Sequence, residues 1–265
     1  MLDLKEILNI MEPIVREAGL TALSLQENLE SIQFKSAKDI VTSADLACEK
    51  IIVDGILKHF KEHDICTEER GNIIHENKKS DYLWVLDPID GTVNFSRGIP
   101  LWGISLALLY KKQVVLSICF LPRLSEMFIA LRGVGSYLNG KKIAVSNTSS
   151  LERFVVSNGD FNVGNPEKIN AQNSENLKKE AVSCMRVKCM GSAVAEGCFL
   201  ACGRLDAFIM TMSYPWDIAG ISLLIEEAGG KATKLNGKAL EFINAEQALF
   251  TNNKLHQTFV EMCSC

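Results

Sequence analysis

The chain has 265 residues, 47% of them hydrophobic, and a formal net charge of −4, which predicts a well-filled core and excludes disordered, collagen-like and low-complexity proteins. The mild negative charge argues against nucleic acid as a partner, because proteins that bind nucleic acid carry a basic patch. No run reaches the ~18 apolar residues needed to cross a bilayer, and the charged N-terminus does not look like a secretory leader, so we expect a cytoplasmic protein without a membrane partner.

The first 60 residues predict two helices. Apolar residues repeat at helical spacing over residues 2–25, with a kink expected near Pro13. A second helix is expected to begin at an N-cap, Ser43, and to continue to about Phe60. Asp45 falls in its first turn, where the helix dipole tolerates an acid, so by itself it fits an ordinary helix start as well as a catalytic role.

One short stretch then changes character abruptly. Residues 82–86 have the aromatic and aliphatic composition of a buried strand, and the carboxylates of Asp87 and Asp90 follow at once. Pro88 fixes its own φ and Gly91 permits a tight turn. The two carboxylates can therefore point to one locus rather than to opposite faces of a strand.

This turn predicts a site for a hard divalent cation. Two carboxylates and the backbone carbonyl of Ile89 are the kind of oxygen ligands that Mg²⁺ takes in octahedral geometry. Gly91 and Thr92 are expected to open a short helix toward Phe95, and the N–H groups at its start favour an anion such as phosphate. The alternative is an ordinary capped turn, because Asp and Gly are common loop residues.

The remainder predicts an antiparallel sheet followed by alternating helices and strands. Strands are expected at residues 101–110, 114–121, 126–131, 136–145, 154–157, 185–188 and 205–211, and two more follow residue 228. Helices are expected at residues 166–181, 192–202, 216–228 and 255–262. The polar residues 146–150 divide one domain, 1–265, into an N-terminal lobe, 1–146, and an α/β lobe, 147–265.

Cysteine and histidine contribute no predicted site. The nine cysteines are odd in number and dispersed through apolar runs, so we expect reduced thiols. Cys198, Cys202, Cys263 and Cys265 lack clustered histidine partners, which disfavours a zinc site. The four histidines lie outside the acidic stretches, and we expect no acid–base role for them.

Two further acidic stretches favour the cation site over the ordinary turn. Glu68 and Glu69 follow a predicted short strand, and Asp217 stands at the head of an apolar helix that ends near Gly230. Three acidic stretches therefore lie at three strand or loop ends.

Three segments resemble the inositol monophosphatase family, which comprises magnesium-dependent, lithium-sensitive phosphomonoesterases. They are TEE at residues 67–69, WVLDPIDGTVNF at 84–95 and PWDIAGISLLIEEAGG at 215–230, in the order of the family. The resemblance implies an α/β fold, an αβαβα five-layer sandwich of the sugar-phosphatase type. It also implies a phosphoric monoester hydrolase, two or more Mg²⁺ per active site, a small phosphorylated metabolite as substrate, and a homodimer.

The resemblance assigns a role to each motif residue. The metal ligands it implies are Glu68, Asp87, Ile89 through its carbonyl, Asp90 and Asp217, with Asp87 bridging two ions. The catalytic residues it implies are Asp45, Glu68 and Thr92. The substrate-binding residues it implies are Gly91, Thr92, Gly191, Ser192, Ala193, Met210 and Asp217. Thr92, hydrogen-bonded toward Asp45, would orient or deprotonate the attacking water. For Ser192 an alternative stays open, because a role as helix cap would by itself explain a serine at this position.

Position 210 departs from the inositol-specific pattern, which has Glu where this chain has Met210. A thioether cannot replace that carboxylate in binding a substrate hydroxyl. Inositol monophosphate is the substrate we expect, with fructose bisphosphate, histidinol phosphate and phosphoadenosine phosphate as alternatives. An aspartyl-phosphate mechanism is less favoured because D-P-I-D-G-T is not its motif. The lowest-ranked hypothesis is that the fold serves as a regulatory binding protein, because a relative acts in transcription and ribosome biogenesis.

Overall fold

The computed structural model describes residues 3–27, 32–36, 39–73, 80–159, 161 and 166–263. The helices in these ranges are α1 Leu4–Glu27, α2 Ser43–His59, α3 Thr92–Ser96, α4 Pro166–Ser183, α5 Ala193–Ala201, α6 Pro215–Glu227 and α7 His256–Cys263. The strands are β1 Ile32–Ser36, β2 Asp39–Thr42, β3 Asp64–Thr67, β4 Gly71–Ile73, β5 Tyr82–Asp90, β6 Gly103–Tyr110, β7 Gln113–Leu121, β8 Glu126–Leu131, β9 Gly135–Leu138, β10 Lys141–Lys142, β11 Val155–Asn158, β12 Arg186–Lys188, β13 Ala207–Ser213, β14 Lys231–Thr233 and β15 Glu246–Thr251. Within these ranges, no helix combines the length and apolar character that a bilayer crossing needs.

The strands form two large sheets and one hairpin. The larger sheet has eight strands in the order β10-β9-β8-β7-β6-β5-β3-β4, and the smaller has five in the order β12-β11-β13-β15-β14. β3 and β5 are parallel, as are β12, β11 and β13, and the other pairs are antiparallel. β1 and β2 form the hairpin that leads into α2.

Both faces of the larger sheet are covered. Side chains alternate along a strand, so on β6 Ile104, Leu106 and Leu108 pack toward α1 and α2, whereas Ala107 and Leu109 pack toward α5 and α6. Burial on both faces explains why this strand reads as an almost unbroken apolar run.

The layers follow one another as α1 and α2, the larger sheet, α5 and α6, the smaller sheet, and α4 and α7. One apolar core fills the space beneath α1 and α2, a second surrounds α5 and α6 between the sheets, and a third lies between the smaller sheet and α7. This arrangement confirms the αβαβα sandwich. The larger sheet ends before residue 146 and the smaller begins after it, and the division into two lobes stays a prediction.

Several predicted boundaries were wrong. The strand expected at residues 136–145 is two strands, β9 and β10, and two other differences lie closer to the candidate site. The N-cap of α2 is Thr42 rather than Ser43, because Thr42 and Asp45 form a capping box. The central strand continues through Asp90 instead of ending at residue 86, since β6 remains paired to it beyond the Asp–Pro step. The eight described cysteines are free thiols, as expected; Cys265 lies outside the described residues.

Candidate active site

A bulge places the two central carboxylates on one side of β5. Asp87 pairs with Ser105 and Asp90 pairs with Gly103, so three steps along β5 match two along β6. In a regular strand, residues three apart face opposite sides. The additional residue at Pro88–Ile89 reverses this alternation, and Pro88, which has no N–H to donate, is well suited to a bulge.

Asp217, in the first turn of α6, completes a group of three acids. One carboxylate oxygen from each of Asp87, Asp90 and Asp217 lies within 4.8 Å of the other two, which confirms the predicted convergence. The backbone N–H of Tyr214 donates to Asp217 at 2.6 Å. Oδ1 of Asp87 is buried, and no residue that the structure describes forms a hydrogen bond with it. Such an oxygen is unfavourable unless a cation satisfies it, so the three acids fit a hard divalent ion.

The acids of the site repel one another in a poorly solvated place. Burial and the charge of Glu68 raise the pKa of Asp87 well above its usual range. Burial raises the pKa of Asp90 to about 7, although hydrogen bonds partly oppose the shift. Burial also raises the pKa of Asp217 well above its usual range. Glu68 is not part of the group of three, yet its charge adds to the raised pKa of all of them and of Asp45. The charged forms of these acids are therefore unfavourable when they lie together, and a cation bound among them would relieve the repulsion.

Asp90 also joins the site to the beginning of α5. The Ser192 hydroxyl donates to one of its oxygens, and the backbone N–H groups of Ala193 and Val194 donate at 3.1 and 2.9 Å. Ser192 is the N-cap of α5, as predicted, and its Oγ accepts a backbone N–H of the first turn at 3.2 Å. Gly191, Ser192 and Ala193 thus lie beside a predicted metal ligand, and their contact with substrate stays a prediction.

Thr92 lies between Asp45 and the central motif. Its Oγ1 is 3.3 Å from Oδ1 of Asp45 and 3.0 Å from the carbonyl oxygen of Ile89. The other Asp45 oxygen accepts the backbone N–H and the hydroxyl of Thr42 at 2.8 and 2.5 Å. Burial raises the pKa of Asp45 to about 6. Asp45 is consequently fixed as an acceptor that can orient the Thr92 hydroxyl.

The turn after the motif is closely packed. Gly91 has a φ of 82° at the start of α3, and a Cβ there would lie 3.0 Å from the carbonyl oxygen of Gly191. Nδ2 of Asn94 donates to the carbonyl oxygens of Leu101 and Met190, both at 2.7 Å. These contacts hold α3 against the segment that precedes α5.

Some residues of the site were missed from sequence. The Thr-x-x-Asp spacing of Thr42 and Asp45 is a capping pattern that could have identified Thr42, whereas no sequence signal distinguishes Asn94 or Val194. Met210 is 7% exposed and lies on the side of β13 that packs toward α5 and α6. Its contact with substrate stays a prediction.

The chain is similar to known proteins over nearly its whole length. The inositol monophosphatase family profile matches residues 3–263. A Thermotoga maritima protein named fructose-1,6-bisphosphatase/inositol-1-monophosphatase is 33% identical over 250 residues, covering 94% of this chain and 92% of that protein. The Nus factor SuhB of Pseudomonas aeruginosa is 35% identical over 254 residues, covering 95% and 93%. The solved structure of the extragenic suppressor protein SuhB from Bartonella henselae has a TM-score of 0.89 at 27% identity, covering 97% of this chain and 98% of that one. The chain therefore belongs to the inositol monophosphatase family.

Proposed function

We propose that this protein is a Mg²⁺-dependent phosphomonoesterase of small phosphorylated polyols or sugars, with inositol monophosphate as the first substrate to test. The observation that carries the proposal is the convergence of Asp87, Asp90 and Asp217 around an unpartnered buried oxygen. Membership of the family supports a phosphatase. The relatives carry inositol, fructose bisphosphate and Nus factor names, so the choice of ester rests on experiment.

In the proposed hydrolysis, one set of residues would hold the metal ions and another would orient the attacking water and the phosphate. Asp87, Asp90 and Asp217 would hold one Mg²⁺, while Glu68, Asp87 and the Ile89 carbonyl would hold another. Bound there, Mg²⁺ supplies charge neutralisation for the phosphate and leaving oxygen and a nucleophile at neutral pH. Asp45 fixes the Thr92 hydroxyl so that it orients the attacking water, and the backbone of Gly91 and Thr92 faces the phosphate.

Phosphate release across a panel of esters tests the proposal. The panel contains inositol 1-phosphate, fructose 1,6-bisphosphate, histidinol phosphate and phosphoadenosine phosphate, each with Mg²⁺ and with a chelator. We expect release that requires Mg²⁺ and that lithium inhibits. Release from none of these esters at any Mg²⁺ concentration would contradict the proposal. Homodimer formation and a cytoplasmic location stay predictions.

Thr92→Ala is expected to reduce kcat by about 100-fold, a typical contribution of a group that handles a proton or positions water. Mg²⁺ affinity should change little, because the Thr92 hydroxyl contacts Asp45 and a carbonyl rather than serving as a ligand. Steady-state kinetics and calorimetric Mg²⁺ titration measure the two quantities, and Thr92→Ser, which keeps the hydroxyl, should recover most of the rate. Equal losses in kcat and affinity would instead make Thr92 a metal ligand.

Met210→Glu is expected to raise kcat/KM for inositol monophosphate relative to a less hydroxylated ester by roughly tenfold, the worth of one good hydrogen bond. Position 210 would contact the alcohol portion of the substrate, whereas the acidic ligands would contact only phosphate and metal. Met210→Gln is the matched control, because it is polar without the charge.

Thermal unfolding distinguishes the specificity role of position 210 from simple burial. Met210 is 7% exposed and its Cγ would be 3.4 Å from a Cβ at Gly159, so a buried carboxylate can also destabilise the protein. A lowered thermal midpoint with an unchanged substrate ratio would show that Met210 is a core residue and would remove the specificity argument.

A second candidate function is regulatory binding, favoured by the 35% identity to a protein named as a Nus factor. Replacement of Asp87 by Asn separates the two functions, because it removes a ligand and leaves the outer surface unchanged. A cell-based phenotype restored by the Asp87→Asn variant would indicate a role independent of hydrolysis, whereas a phenotype that requires Asp87 would indicate the phosphatase.

A further inference from the structure

Helix α6 lies close to the larger sheet one turn after Asp217. Asp217 and Gly220 are three residues apart and so are neighbours on the helix surface. A Cβ at Gly220 would lie 2.6 Å from Oγ of Ser105, 3.1 Å from Sγ of Cys119 and 3.3 Å from Oγ of Ser117. The backbone of α6 therefore rests directly on side chains of β6 and β7.

The same serine lies across from a carboxylate of the site. Ser105 is the register partner of Asp87 on the neighbouring antiparallel strand, and such partners project from the same face of a sheet about 5 Å apart. Ser105 is 1% exposed, so there is little free space around it.

Four residues, Asp87, Ser105, Gly220 and Asp217, thus form a closed ring of neighbours at the site. Asp87 is beside Ser105 across the strands, Ser105 contacts Gly220, and one helical turn connects Gly220 to Asp217. The ring is completed by Asp217 and Asp87, whose carboxylate oxygens lie within 4.8 Å of each other. Any increase in the distance between α6 and β6 at Ser105 would carry Asp217 away from Asp87.

We infer that the contact between Ser105 and Gly220 sets the separation of Asp217 from Asp87, which makes these two residues positioning residues of the metal site. The inference rests on the proposed function, because it takes the three acids as ligands. Its physical basis is that a side chain at 220 must displace α6, the Ser105 hydroxyl or the Cys119 thiol, and both Ser105 and Cys119 are buried. Mg²⁺ tolerates displaced ligands poorly because it demands near-ideal octahedral geometry.

Gly220→Ala tests the inference through metal affinity rather than turnover. Calorimetric titration of the folded, metal-free protein with Mg²⁺ should show affinity reduced roughly tenfold or more, the size of effect found when groups that orient metal ligands are lost. Alanine is the better helix former, so weaker binding cannot be attributed to loss of helical propensity.

A double-mutant cycle identifies the contact responsible. In a Ser105→Ala background the 2.6 Å overlap is absent and only the 3.1 Å approach to Sγ of Cys119 remains, so Gly220→Ala should reduce Mg²⁺ affinity less than it does in the native background. In the matched Ser117→Ala background the closest overlap remains, so the loss should persist. If Gly220→Ala does not fold, Ser105→Cys places a larger atom against Gly220 and should weaken binding in the same direction.

Three results would overturn the inference. One is a Gly220→Ala protein with a lowered thermal midpoint but unchanged Mg²⁺ affinity, which would show a purely structural contact. Another is equal rescue by Ser105→Ala and Ser117→Ala, which would show general loosening of the core. The third is a wild-type protein that binds no Mg²⁺; this result would refute the proposed metal site itself and is distinct from the other two.

Discussion

Asp87→Asn is expected to reduce kcat/KM by more than about 100-fold without destabilising the protein. Even groups that only orient metal ligands contribute about 10- to 100-fold, and Asp87 is the residue common to both proposed ions. Among the described residues, its Oδ1 has no hydrogen-bond partner to lose. Because burial raises the pKa of Asp87 well above its usual range, removal of the charge should leave the metal-free thermal midpoint unchanged or higher. Kinetics and thermal unfolding without Mg²⁺ measure both effects.

Asp90→Asn supplies the matched comparison. Asp90 accepts hydrogen bonds from Ser192, Ala193 and Val194, and an asparagine has only one oxygen for these three donors. Its amide group would face a backbone N–H, at a cost of about 1–3 kcal/mol for unsatisfied buried groups. Both variants should lose activity, and only Asp90→Asn should lose stability. Near-normal Mg²⁺-dependent turnover in Asp87→Asn would refute the assignment of Asp87 as a ligand.

Gly91→Ala is expected to destabilise the protein by more than about 2 kcal/mol and to abolish most activity. A non-glycine residue in the left-handed region costs about 1–2 kcal/mol, and Gly91 has a φ of 82°. The new Cβ would also lie 3.0 Å from the carbonyl oxygen of Gly191 and 3.1 Å from Cβ of Ser192. Relief of this overlap must move either Thr92 or the residues at the start of α5 that donate hydrogen bonds to Asp90. Urea unfolding and steady-state kinetics measure the two losses.

Gly98→Ala is the control for backbone strain alone. Gly98 has a φ of 70°, and apart from its two chain neighbours no described residue has an atom within 4 Å of the Cβ position, so its replacement introduces the strain without the overlap. We expect a smaller loss of stability and nearly normal turnover. Equal effects at the two positions would show that the close approach of Gly91 to the α5 segment has no functional importance.

Much of this fold could be predicted because its elements carry strong local signals. The apolar run of β6 is continuous since both faces are buried, and α6 begins at a Pro–Trp–Asp sequence typical of a helix start. The acids Asp87, Asp90 and Asp217 were identified because two of them directly follow a buried run, the third stands at the head of an apolar helix, and all three lie in segments that resemble the family.

Two relationships between elements could not be predicted. No pattern showed that a bulge brings Asp87 and Asp90 to one side while β6 stays paired, because register is a property of two strands. Nothing local indicated that Asp90 would accept hydrogen bonds from α5, about 100 residues later. Sequence alone would have selected Asp90→Asn as the simple test of a ligand, whereas the structure favours Asp87→Asn.

The most direct test of the metal site is an anomalous difference map from crystals grown with Mn²⁺, which accepts the same carboxylate ligands as Mg²⁺. We predict a peak within bonding distance of the carboxylates of Asp87, Asp90 and Asp217, and its loss in Asp87→Asn crystals. A map that shows Mn²⁺ bound elsewhere on the protein and none at these three residues would contradict the account.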